Sequence, residues 1–232
     1  MTDRYQLAAL AAAVPLYVAA LQPVALLAED AADQLATIGA QVLATPEPID
    51  QVAVIVAGVR TLGAAGAGSF SDWVAVADAV ALIPQPTLSP ALTRAQDLAQ
   101  AASRLIMAAC WQEAAVIAIS SPPAFRDDVE AIRERLVAGI EPVLDGLAQM
   151  GALDAHAAVG KTVDIAIAGL DDLALTVAPL AQVQTGRSWP APVLSWLLYG
   201  DCSRDEELVA RAGTLTPLFM PTDLTVPAPT AI

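Results

Sequence analysis

The chain has 232 residues, of which 56% are hydrophobic but only 4% aromatic, and its formal net charge is −14. That charge argues against a DNA-grasping surface, because affinity for nucleic acid comes largely from Lys and Arg neutralising phosphates, and no stretch is basic: 10 acidic residues face 4 basic ones over 1–125, 10 face 4 over 126–186, and 5 face 3 over 187–232. A single histidine, His156, and two distant cysteines, Cys110 and Cys202, exclude a multi-histidine or paired-cysteine metal site.

Much of the apolar share is alanine, the residue of highest helix propensity, so stretches such as Leu7 to Ala13 and Ala99 to Ala109 lean helical before packing is considered. Tyr5 to Ala28 carries no charge, but Pro15 and Pro23 interrupt it and Gln6 and Gln22 lie within it. It reads as packed helices of a soluble protein, not as a leader or a membrane span. Breaks are expected at Thr45-Pro46-Glu47-Pro48, Gly63 to Gly68, Pro84-Gln85-Pro86 and Ser120-Ser121-Pro122-Pro123, with Ser89-Pro90 opening a helix that runs toward Ile119. Residues 1–123 are thus an Ala-rich helical region.

After Pro123 the spacing of Phe125, Val129, Ile132, Leu136, Ile140, Val143, Leu147 and Met150 at intervals of three and four predicts one helical stripe, kinked or interrupted at Pro142. Gly151 marks a turn, and Val159, Val163, Ala166, Leu170, Leu173 and Val177 repeat the pattern up to Pro179. Residues 124–179 therefore read as an antiparallel amphipathic hairpin.

The character then changes. Leu180 to Thr185 alternates apolar and polar and suits a short strand. Ser188 to Pro192 opens a helix closing at Gly200, in which Val193 and Leu197, and Leu194 and Leu198, pair at i, i+4. Ser203 and Glu206 have capping-box spacing, Asp205 to Glu207 suit a helix N-terminus, Arg211 the last turn and Gly213 the left-handed cap. Leu224 to Val226 supplies a second strand, giving the order strand, helix, helix, strand over 180–232.

That order is the layout of the LysM module. The run Leu197-Leu198-Tyr199-Gly200-Asp201, the acidic helix ending in Arg211, and the exit through Pro217, Phe219 and Pro221 resemble the C-terminal end of the Mu-like phage DNA circularisation (circulation) proteins. The resemblance is sharp over 190–226 and softer over 124–189; where that family commonly has Asn, His and Gly, this chain has Ala212, Thr216 and Thr222. It implies a mainly α fold, an Ala-rich helical bundle with a small C-terminal LysM-like α+β module. It also implies a virion component: a tail or baseplate hub or tube adaptor in a contractile particle, assembled in the host cytoplasm in several copies around the tail axis against tube, hub and wedge proteins. Two other roles stand beside it, a protein associated with phage DNA ends, as the family name suggests, and a peptidoglycan binder. The first predicts salt-sensitive DNA binding and the second sedimentation with cell walls.

No catalytic, cofactor or metal residue is nominated. Gly160-Lys161-Thr162 ends like a P-loop, but position 155 is Ala155 and a helix, not a strand, precedes it. His156 has no nucleophile or acid nominated beside it. Asp127-Asp128 and Asp171-Asp172 diverge by about 100° as helical neighbours and read as solvated faces. Trp111, set among apolar residues, reads as core. The candidate partner-contact residues are Trp189, Trp196, Tyr199, Gly200, Asp201, Arg204, Arg211 and Phe219.

Overall fold

The computed structural model of the chain describes residues 4–26, 29–84 and 93–228, and it is mainly helical with one two-stranded sheet. It divides into two compact units, residues 1–122 with 132–170, and residues 123–131 with 171–232. The Gln85-Pro86 break and the Ser89-Pro90 start lie outside the described residues.

The first unit holds α1 (Arg4–Ala20), α2 (Gln22–Ala25), α3 (Glu29–Ala44), α4 (Pro48–Ala64), α5 (Phe70–Ala81), α6 (Thr93–Ser120), and most of α7 (Arg126–Gln149) and α8 (Leu153–Ala174). Local chemistry sets their ends. Pro48 opens α4 behind an extended Glu47. Gly66 and Gly68, at φ 74° and 79°, carry the chain into α5 through left-handed backbone that a side chain would strain. Ser69 and Asp72 then form a reciprocal capping box: the Ser69 amide donates to Asp72 Oδ2 at 2.7 Å and the Asp72 amide to Ser69 Oγ at 3.4 Å.

Small residues let these helices approach closely. A Cβ at Gly58 would lie 2.7 Å from Ile38 Cδ1, so α3 and α4 meet at this position. Trp111 of α6 lies against Gly139 of α7, and Arg104 of α6 against Gly146, whose carbonyl accepts from Arg104 Nη1 at 3.2 Å. Rising numbers on α6 meet falling numbers on α7, so the two run antiparallel. Ile119 meets Gly169 near the end of α8, which places the end of α8 and the early part of α7 at the same end of α6. The hairpin turns at Gly151, φ 73°. Its buried residues include Leu136, Ile140, Val143 and Leu147 on α7 and Val159, Val163, Ala166 and Leu170 on α8. α7 passes through Pro142 without interruption, because Ile140 and Val143 on either side are buried and keep both halves on one packed stripe. α1 likewise continues through Pro15.

Among the described residues two segments, Leu7–Ala25 and Leu98–Ser120, are long and apolar enough by composition to cross a membrane. In the fold they supply buried Leu10, Tyr17, Leu21, Ile106 and Trp111. Tyr17 brings a hydroxyl into this core and satisfies it by donating to the Ala99 carbonyl at 3.2 Å and sharing a 2.8 Å hydrogen bond with Ser103 Oγ. Trp73 does the same through Nε1, which donates to the Ala67 carbonyl at 2.8 Å.

The second unit is built on β1 (Leu180–Gln184) and β2 (Asp223–Pro227), paired antiparallel from Leu180 opposite Pro227 to Gln184 opposite Asp223. Between them come α9 (Ala191–Tyr199) and α10 (Asp205–Ala212), ending at the left-handed glycines Gly200 and Gly213. Ala191, Leu194, Leu208, Met220, Leu224 and Val226 make the core, with Val183, Trp189 and Tyr199 packed against it. Residues 123–131 belong to this unit: the Arg126 amide donates to the Ala178 carbonyl at 3.1 Å, and the Leu180 amide to Asp127 Oδ1 at 3.4 Å.

Two local expectations are corrected. α8 ends at Ala174, not at Pro179, so Val177 falls beyond the helix; the residue before a proline disfavours helical backbone, and Ala178 instead forms a β-bridge with Phe125. Ser203 and Glu206 do not form a capping box. Both the amide and the hydroxyl of Ser203 donate to Asp201, a tight Asx-type turn, while the Glu206 amide donates to Asp205 Oδ1 at 2.9 Å. The helix expected to open within Ser188 to Pro192 does so at Ala191, behind an extended Pro190, and the Ser188 hydroxyl donates to the Met220 carbonyl at 2.7 Å.

Candidate functional site

α9 has the sequence Ala-Pro-Val-Leu-Ser-Trp-Leu-Leu-Tyr, in which Ser195 alone could prefer water over a packed face. Ser195 is nevertheless fully buried, its hydroxyl donating to the Asp201 carbonyl at 2.6 Å, so it ties the helix to the turn that follows. Gly200 permits that turn at φ 70°, and Asp201 is fixed there by the two donors of Ser203. Those two hydrogen bonds hold the Asp201 carboxyl below its ordinary range, so it is a firm anion at the surface.

Tyr199 closes the helix. Its hydroxyl donates to the Pro227 carbonyl at 2.9 Å, linking α9 to the end of β2, and the Arg204 guanidinium lies over its ring, 4.9 Å from the centroid. Desolvation, reinforced by the Glu207 charge, raises the Tyr199 phenol above its ordinary range, so it remains a neutral donor. The result is an open hollow of half polar, half apolar character in which Trp196, Leu197, Tyr199, Asp201 and Arg204 converge.

Five of the eight sequence-nominated contact residues, Trp196, Tyr199, Gly200, Asp201 and Arg204, therefore line one feature. The other three lie elsewhere in the unit. Trp189 packs on the core with the Arg187 guanidinium 3.8 Å from its ring centroid. Arg211 turns inward, 3.6 Å over the Phe125 ring and 3.3 Å from Asp128 Oδ2. Phe219 is 73% exposed in the loop before β2 and is not among the residues lining the hollow.

The sequence missed Phe125 and Asp128 as partners of Arg211, and no local signal could reveal a pairing across 83 positions. It also undervalued Asp127 and Asp128, which read as a solvated face; both are exposed but engage Leu180 and Arg211. Trp111 is buried in the helical unit, with Arg135 5.4 Å from its ring centroid. Gly160-Lys161-Thr162 lies inside α8, where the Thr162 hydroxyl donates back to the Ala158 carbonyl at 3.0 Å, so this backbone presents no phosphate-cradling loop. Among the described residues no group of three His, Cys, Asp or Glu side chains could hold a metal ion. The hollow thus offers contact chemistry: an indole, a phenol, one anion and one cation on a small, well-tied frame.

No protein-family model matches the chain, and no curated protein matches its sequence.

Proposed function

We propose that this protein is a structural component of a contractile phage or phage-like tail, a baseplate hub or tube adaptor whose LysM-like module, residues 180–232, connects it to neighbouring tail proteins. One observation carries the reading. The segment that resembles the Mu-like circularisation proteins, Leu197 to Asp201, lies in a strand-helix-helix-strand unit whose first and last strands pair, and all five of its residues line the open hollow, together with Trp196 and Arg204. A small connector held by its own core and carrying an apolar-and-charged face suits repeated protein contact.

The role as a holder of DNA ends is disfavoured by the net charge of −14, which opposes approach to phosphate. In the test, particles purified from an induced host are labelled with antibody raised against this chain. The antibody should decorate one end of the tails, and particles free of the chain would end the proposal. In parallel, the purified chain should show no retention of duplex DNA even at low salt.

A further inference from the structure

We draw no further inference here: the strongest candidate, the open apolar groove that Leu10 of α1, Val52 and Val56 of α4 and Leu98 and Leu105 of α6 line in the helical unit, is walled by apolar side chains alone among the described residues, and nothing in the structure shows what covers it.

Discussion

Two helical glycines make opposite demands. At Gly139 an added Cβ would lie 1.9 Å from Trp111 Cζ2, whereas at Gly160 nothing lies within 4 Å. Alanine normally stabilises a helix over glycine by about 0.5–1 kcal/mol. Gly160→Ala should therefore raise the urea midpoint. Gly139→Ala should lower it despite the same propensity gain, because forcing a methyl into a packed ring costs about 1–3 kcal/mol. The two thiols differ for a similar reason. Cys110 is fully buried and its pKa is pushed up to about 12, while Cys202 is exposed. A thiol reagent at neutral pH should modify one cysteine at once and the second only as the chain unfolds. Burial also raises the Glu113 carboxyl above its ordinary 4.5, the Arg60 charge offsetting this in part. A raised carboxyl holds its proton more tightly in the fold, so its ionisation destabilises the fold as pH rises through the raised value. Glu113→Gln should accordingly be more stable than the parent at neutral pH, and the difference should vanish below pH 4.5, read by urea titration at both. Asp201 has the opposite sign: its contribution is present above its ordinary 3.8 and is lost as pH falls through its lowered value.

At the scale of elements, the second unit depends on a clasp that joins residues remote in sequence. Arg211, in the last turn of α10, stacks on Phe125 and pairs with Asp128, with its side chain only 21% exposed. The ion pair alone is worth little, since Asp128 is half exposed. The stacked guanidinium adds about 0.5–2 kcal/mol. Arg211→Ala should destabilise this unit by roughly 1–2 kcal/mol, and Arg211→Lys should recover only part of it, because an ammonium cannot lie flat on the ring. The sequence marked Arg211 as helix-end chemistry and a partner contact; its turn toward Phe125 follows from residues 123–131 packing into the unit, which no periodicity encodes. The strands and helices themselves were legible because the signals were local: alternation over Leu180 to Gln184, glycine at both helix ends, three-and-four spacing along α7 and α8. The end of α8 was misjudged because the apolar pattern continues through Val177, where the helix has given way to a turn closed by the Thr176 and Val177 amides on the Leu173 carbonyl.

For the molecule as a whole, charge sets behaviour. With 25 acidic and 11 basic residues and an isoelectric point of about 4.2, the chain is held apart from itself and from nucleic acid at neutral pH. Solubility should pass through a minimum near pH 4.2, measured as turbidity across a pH series. A chain equally soluble at that pH would show that charge does not govern its solution behaviour.

Composition and spacing alone determined that the chain is helical, that residues 180–227 form a small strand-helix-helix-strand element, and that Gly200 ends the first of its helices. These are short-range properties: propensity, period and cap act over a few residues, and the sequence displays them directly. Which face of α9 is covered, that Asp201 and not Glu206 holds Ser203, and that Arg211 faces Phe125 were decided by the tertiary structure alone. Each depends on groups brought together by packing from separate stretches of the chain, or on competition between two nearby hydrogen-bond acceptors that only the backbone path resolves.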